Sequence, residues 1–391
     1  MENIKRRRIL VLSTAYYPFV GGAEIAIKEI TDRLSSDFDF DLITARFDKN
    51  LPIFEKIGSV NVYRIGFGHR TFDKLILPFL GAVRIYKLNK KNNYFCIWAM
   101  MITFASGAGY VFNVFQFLSR SKKVPIVLSL QEGDSENHLN YRWGGLLGLS
   151  WKLALFQTDH LTALSAFLID RARRVGYKKE ADIVPNGVDL SVFTKEIGIE
   201  VKEEIRNKLG KKDGDVFLVT WSRLTHKNAV DDIISSLVSL PTNIYLIIMG
   251  KGEEGKKLQK QVDSLGLNHR VKFLGFVSHK EIPNYLSVCD IFIRPSRSEG
   301  FGNSFIEAMA AKLPVIATPV GGIPDFIDDN ETGVFCAPNN PQSIANSVNL
   351  ILTNNNLREN IVRNAYNRVV ERYSWETVSN NMKDVFDKVS K

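Results

Sequence analysis

The chain reads as α/β, with two doubly wound parallel sheets facing each other across a cleft. Three observations predict this. Apolar runs of strand length alternate with helical patterns, as parallel strands joined by crossover helices require. The alternation starts afresh near residue 216. Between the two series, Pro185-Asn-Gly-Val-Asp189 punctuates the chain as a hinge would.

Element by element, Arg8-Ile-Leu-Val-Leu-Ser13 is a continuous apolar run ending in a turn, which suits a central strand buried on both faces. A Gly-Gly pair and a helical pattern over Ala23–Leu34 follow. Further strands are expected at Asp41–Thr44, Val60–Ile65, Phe95–Ala99, Pro125–Leu130, Leu161–Ser165 and Ile183–Val184. The second series has strands at Val216–Ser222, Ile244–Met249, Val271–Leu274, Ile291–Arg294 and Val315–Ala317. Its helices are expected at Asp231–Leu240, Glu253–Leu265, Ile282–Val288 and Ser304–Ala311. The stretch Ile97–Leu118 has the length of a membrane span, but Ser106, Gly107 and Gly109 interrupt it, and Asn113 and Gln116 would be costly in lipid. A buried strand followed by a buried helix is predicted there.

A length of 391 residues suits two or three domains, and 45% hydrophobic with 24% charged residues suits a soluble globular protein. Cys96, Cys289 and Cys336 stand far apart without metal-ligand spacing, as buried small residues of a reducing compartment. The basic start Met1–Arg8 meets only a short apolar run, so no secretory signal is read and a cytoplasmic place is expected.

Residues 1–190 hold 26 basic and 18 acidic side chains, a net +8, against +1 for the rest. Such a half calls for a phosphorylated ligand or an anionic membrane surface. Nucleic acid is not expected, because no aromatic-interleaved basic motif is present. Basic residues recur beside apolar ones in Phe72-Asp-Lys-Leu-Ile-Leu-Pro-Phe-Leu80 and on to Arg84, Lys87, Lys90 and Lys91. This stretch is expected to hold the first domain peripherally at the inner face of a membrane.

Four segments carry chemistry. Gly21-Gly22-Ala23-Glu24 follows the first strand and opens a helix, where backbone N–H groups can approach an anion. Arg223 and Lys227 follow the strand Val216–Ser222 as a cationic clamp suited to a diphosphate. In Arg294-Pro-Ser-Arg-Ser-Glu-Gly-Phe-Gly-Asn-Ser-Phe-Ile-Glu307, a strand ends, a glycine loop turns and a helix begins. Glu299 and Glu307 are placed to accept hydroxyls of one ligand, with the N–H groups of Asn303 and Ser304 aimed at a phosphate. Gly321-Gly322 makes a further turn with Asp325 beside it. The adjacent pairs Asp231-Asp232 and Asp328-Asp329 are expected to be solvated, with side chains pointing apart.

These segments resemble glycosyltransferase family 4 over nearly the whole chain. The likeness includes Tyr17-Pro-Phe-Val-Gly-Gly-Ala-Glu24, Val184-Pro-Asn-Gly-Val-Asp189, Ser222-Arg-Leu-Thr-His-Lys-Asn228, Met249-Gly-Lys-Gly252, Phe273-Leu-Gly-Phe-Val277 and, most specifically, Glu299-Gly-Phe-Gly…Glu307-Ala-Met-Ala. The resemblance implies the GT-B fold, two Rossmann-like domains: residues 1–187 for the acceptor, residues 188–370 for the nucleotide sugar, and a last helix within 371–391 crossing back to the first domain. It implies a retaining hexosyl transfer from a UDP- or GDP-sugar to a glycan or lipid-linked acceptor in cell-surface polysaccharide or glycolipid synthesis, with no cofactor and no metal.

By the same resemblance, Arg223 and Lys227 hold the donor diphosphate and Glu307 the ribose. Glu299 meets the donor sugar with Phe301, Gly302, Asn303 and Ser304 nearby. Gly22 lets its loop approach the donor phosphate, and Gly250 and Val277 line the nucleotide. Two departures stand out. Gln131-Glu132 replaces a frequent His-Asp and marks the acceptor side. Asn228-Ala229 aligns with the usual Lys-Gly one place beyond Lys227. A nucleotide-sugar epimerase of the same fold is the alternative, and Glu132, Asp134 and Glu136 would supply its extra carboxylates. A sugar- or phosphate-binding protein without turnover is a third reading. A nicotinamide oxidoreductase is not expected, since no Gly-x-Gly-x-x-Gly follows the first strand.

Overall fold

A computed structural model of the chain describes residues 6–102, 104–131 and 146–389. It forms two compact units, one of residues 1–186 with 375–391 and one of residues 187–374. The second unit begins one residue earlier and ends four residues later than the sequence reading has it. The reason is local: the Val188 N–H donates to the Tyr373 carbonyl at 2.8 Å, and Val188 bridges Ser374 in parallel, so the unit's entry and exit are paired to each other.

Unit 1 holds an eight-stranded sheet. Its strands are β1 (Arg7–Leu12), β2 (Phe38–Ala45), β3 (Phe54–Ile57), β4 (Val60–Ile65), β5 (Cys96–Met100), β6 (Ile126–Leu130), β7 (His160–Ala163) and β8 (Ala181–Ile183). The order is β3-β4-β2-β1-β5-β6-β7-β8, parallel at every step except β3 against β4. The central strands are buried over nearly every residue, as their unbroken apolar runs require. The sequence reading misses β3: at the sheet edge it alternates exposed and half-buried residues, so Phe54-Glu-Lys-Ile57 shows no apolar run. The last helix, Trp375–Lys388, buries Trp375, Val378, Met382, Val385 and Phe386 in this unit's core. Its Phe386 ring lies 5.6 Å from Trp98 and 5.5 Å from Phe38, edge-on to both.

The stretch Ile97–Leu118 divides into β5 and a helix, Ala105–Leu118. Asn113 is buried and bonded to the Val124 carbonyl at 2.9 Å, which satisfies it within the protein. The helix is not buried throughout, however: Val114, Phe115, Phe117 and Leu118 are exposed. It lies against the helix Arg70–Asn92 through small residues, so tightly that a Cβ on Gly81 would come within 2.7 Å of Ala108. Among the described residues, no helix is long and apolar enough to cross a membrane.

Unit 2 holds six parallel strands: β9 (Val216–Trp221), β10 (Ile244–Met249), β11 (Val271–Gly275), β12 (Ile291–Arg294), β13 (Val315–Ala317) and β14 (Val334–Phe335). Their order, β11-β10-β9-β12-β13-β14, reverses direction between β9 and β12. Unit 1 reverses likewise between β1 and β5. In such sheets the loops leaving the two strands at the reversal diverge and open a crevice at their carboxyl ends. The loops 222–229 and 295–302 of unit 2 occupy that position, and the local sequence decides what they offer there.

Candidate functional site

The Gly250-Lys-Gly252 turn fixes the loop after β9. Gly250, at φ 140°, passes so close that a Cβ would fall 1.9 Å from the Ser222 carbonyl oxygen, and one on Gly252 would fall 2.2 Å from the Leu224 carbonyl. Only glycine allows these backbones to meet. The Leu224 N–H donates to the Lys251 carbonyl at 3.1 Å, completing the pairing. Gly250 thus shapes the clamp loop from below.

On that loop Arg223 is exposed and Lys227 half-buried. Asn228 is buried and donates its amide to the Arg223 carbonyl at 2.5 Å. Ala229 follows in the left-handed region at φ 53°, the position where the resembled family usually carries glycine. The loop is then bound to its neighbour across the reversal. The Arg297 N–H donates to the Lys227 carbonyl at 2.8 Å, and the Arg297 side chain donates to the His226 carbonyl at 2.7 Å.

Arg297 also corrects one expectation. Asp231 and Asp232 are not solvated and do not diverge: both meet its guanidinium, Asp231 through two bonds of 2.9 Å and Asp232 through one of 2.8 Å. Burial works against ionisation of Asp231, but the bonds from Arg297 prevail and hold its carboxyl below the usual range. Burial pushes Asp232 up, with the Asp231 charge adding to it. Of the other pair, Asp328 is bound to Arg368 at 2.6 Å.

A charged residue that sequence reasoning does not single out lies at the centre. Arg294, the last residue of β12, is buried. Its guanidinium donates to Ser304 Oγ at 2.8 Å, to Asn228 Oδ1 at 2.9 Å and to Glu299 Oε2. Its Cζ also lies 5.4 Å from the Phe305 ring centroid. One side chain therefore joins the clamp loop, the glutamate loop and the first turn of the helix Asn303–Ala310. Glu299 is 7% exposed, with its other oxygen accepting the Gly300 N–H at 3.1 Å. Its free approach to a ligand, as the sequence suggests it, is narrowed to what this pairing leaves. Gly321, at φ 59°, would place a Cβ 1.8 Å from the Glu299 carbonyl oxygen, and the Gly322 N–H donates to that oxygen at 3.1 Å. The Gly321-Gly322 turn supports Glu299 from behind.

Glu307 faces the same crevice from the helix. It is 8% exposed; its Oε2 accepts the Trp221 indole N–H at 2.9 Å, and its Oε1 lies 2.9 Å from His279 Nε2. The His279 ring stands edge-on to Phe193, 5.0 Å between centroids. Gly302 starts the helix at φ 91°. The Phe301 side chain is buried against Phe326 and Tyr373, 5.1 and 5.7 Å between centroids, so a ligand can meet only its backbone. Val277 lies beyond β11, half-buried beside the exposed Phe276.

The structure therefore gathers Arg223, Lys227, Gly250, Glu299, Gly302, Asn303, Ser304 and Glu307 around one strand reversal. It adds Trp221, Asn228, His279, Arg294 and Arg297. Trp221 and Arg294 could have been flagged as the final residues of the two strands at the reversal.

In unit 1, Gly22 begins the helix Gly22–Arg33, and the Gly21 N–H donates to Glu24 Oε2 at 2.8 Å. Gln131 directly follows β6 and reaches the buried Asn186 at 3.4 Å. Glu132, Asp134 and Glu136 lie outside the described residues. Among the described residues, no three His, Cys, Asp or Glu side chains converge as metal ligands.

Comparison with known proteins finds glycosyltransferase relatives over nearly the whole chain. A model described as Glycosyltransferase Family 4 matches residues 20–192, and one described as Glycosyl transferases group 1 matches residues 201–368. An uncharacterized glycosyltransferase of Methanocaldococcus jannaschii is 28% identical over 398 residues, covering 97% of each chain. Sucrose-phosphate synthase from Thermosynechococcus elongatus superposes with a TM-score of 0.81 at 20% identity, covering 98% of this chain and 99% of its own. Anabaena HepE in complex with UDP-glucose superposes with a TM-score of 0.77 at 21% identity, covering 97% and 99%. The epimerase alternative draws no support from these matches.

Proposed function

This chain belongs to glycosyltransferase family 4 and has the GT-B fold, and from that premise we propose that it moves a hexosyl group from a nucleoside-diphosphate sugar to a glycan or lipid-linked acceptor, with retention and without a metal ion. The observation that carries this reading is the strand reversal in unit 2, where a cationic loop and two fixed carboxylates meet at one helix N-terminus.

In the proposed complex the diphosphate rests on Arg223, Lys227 and the N–H groups of Asn303 and Ser304. Glu307 accepts the ribose hydroxyls: each of its oxygens already holds one bond and has a further lone pair to offer. Glu299, held by Arg294, meets the sugar. An acceptor oxygen bonds to the anomeric carbon as the bond from that carbon to the diphosphate breaks, and the acceptor's proton leaves with the diphosphate. Arg223 and Lys227 neutralise the departing charge, which in other transferases falls to a divalent ion. The UDP-glucose bound by HepE supports a UDP-sugar as donor. A peripheral place at the inner face of a membrane is part of the same reading, supported by the +8 of residues 1–190.

The test is product analysis with a UDP- or GDP-sugar and a simple acceptor. The expected product keeps the donor's anomeric configuration by NMR, at an unchanged rate in EDTA. An inverted product, or activity lost in EDTA and restored by manganese, overturns the reading.

A further inference from the structure

We propose that the outer face of three helices in unit 1, Arg70–Asn92, Ala105–Leu118 and Leu146–Gln157, docks on an anionic lipid bilayer. This rests on the reading of a membrane as partner and assigns the surface that meets it.

The helix Arg70–Asn92 carries two apolar stripes. Asp73, Leu77, Gly81, Ile85 and Leu88 face inward and are buried. Phe72, Leu75, Phe79, Val83 and Tyr86 recur at helical spacing on the opposite face and are exposed. A helix on the surface of a soluble domain keeps polar residues on that side. The pattern continues next door: Val114, Phe115, Phe117 and Leu118 are exposed on the second helix, and Leu153 and Phe156 on the third. Phe117 is 82% and Phe156 83% exposed. Scattered apolar exposure is ordinary, but this is concentrated: of 23 exposed large apolar residues among the described ones, 12 lie on these three helices.

Charge names the occupant. Between residues 70 and 123 there are nine basic side chains and one acidic, Asp73. Asp73 is buried and accepts the N–H groups of Phe67, Gly68 and His69, so its charge does not reach the outer face. Lys87, Lys90 and Lys91 follow the exposed stripe at the helix end, and Arg120 and Lys122 follow Leu118, whereas Lys123 is paired with Asp159 at 2.9 Å. Lys90 lies 4.5 Å over the Tyr86 ring. Aromatic wedges flanked by cations match an anionic headgroup layer above hydrocarbon. A second copy of the chain fits less well, because a two-fold contact would set two such cationic faces against each other. The crossover helices run antiparallel to the strands, so Phe72, Leu75 and Phe79 lie toward the carboxyl edge of the sheet. Docking along this face brings that edge beside the bilayer, where the sugar-accepting end of a lipid-linked acceptor emerges.

The experiment is flotation of the full chain with phosphatidylcholine vesicles, with and without phosphatidylglycerol, at low and high salt. It compares wild type, the triple variant Phe79→Ser/Phe117→Ser/Phe156→Ser and the control Ile199→Ser, an exposed apolar residue of unit 2. Wild type and control should float only with the anionic vesicles and less at high salt, and the triple variant should partition at least roughly tenfold less at an unchanged melting temperature. The proposal is overturned if wild type does not float, if the triple variant floats like wild type, or if sedimentation shows that these substitutions merely split a dimer. Transfer to a soluble acceptor is measured in parallel. For wild type, transfer without flotation rejects the docking surface alone, and flotation without transfer rejects the catalytic reading alone.

Discussion

The two sheets share one topology at their centres yet differ at their carboxyl edges. In unit 2 Arg223 stands exposed, while several charged groups at the reversal are buried or half-buried and bound to one another: Arg294 to Glu299, Asn228 and Ser304; Arg297 to Asp231 and Asp232; Glu307 to Trp221 and His279. In unit 1 the described edge offers a glycine turn at Gly21-Gly22 and Gln131 reaching Asn186 at 3.4 Å. The same strand order thus builds a crevice twice, and only the loop sequences decide what it holds. The fixed dipoles and charges of unit 2 are suited to a small polyanion, whose binding would cost little reorganisation. Unit 1 has a broad surface of apolar and basic residues, suited to a partner without fixed shape.

The sharpest way to break this contrast is to remove the hub. Arg294→Met leaves the Glu299 carboxylate buried without its cation. Removing one partner of a buried pair costs about 3–5 kcal/mol, which in a unit of this size lowers Tm by roughly 10 °C. A loss under about 1 kcal/mol in chemical denaturation would show that the network does not hold the two loops together.

A smaller effect separates the two carboxylates. Glu299→Gln should lower kcat more than it raises KM, because its contact to the sugar tightens as charge develops. Glu307→Gln should raise the donor KM several-fold with kcat nearly kept, as loss of a uniform ribose contact does. Equal, small effects in steady-state kinetics would merge the two roles.

The contrast also explains what the sequence discloses. Parallel buried strands announce themselves as apolar runs, so Arg8–Ser13 and Ile244–Met249 are legible without a structure, whereas the edge strand β3, half in solvent, is not. Glycines at strand ends and the charged loop after β9 mark the crevice of unit 2. Arg294 stays hidden because it closes an apolar strand like an ordinary boundary residue, and its partners lie 5, 10 and 66 positions away in sequence. The pairing of Asp231 and Asp232 with Arg297 is hidden for the same reason. The outer face of Arg70–Asn92 is half legible: its apolar and basic residues are plain, but exposure of the second stripe emerges only once the first is buried.

The most direct test of the central claim, that the carboxyl edge of unit 2 is a preformed nucleoside-diphosphate site, is a thermal-shift titration with UDP and GDP on wild type and Arg223→Ala. Arg223 is exposed, so the substitution should leave the unliganded chain within about 0.5 kcal/mol of wild type. One of the two nucleotides, at a hundred times its dissociation constant, should stabilise wild type by about 2.7 kcal/mol. The variant should need roughly ten times more nucleotide or beyond, since a charge-assisted hydrogen bond is worth about 1.5–3 kcal/mol. A wild type that neither nucleotide stabilises, or a variant whose titration matches wild type, would contradict the account.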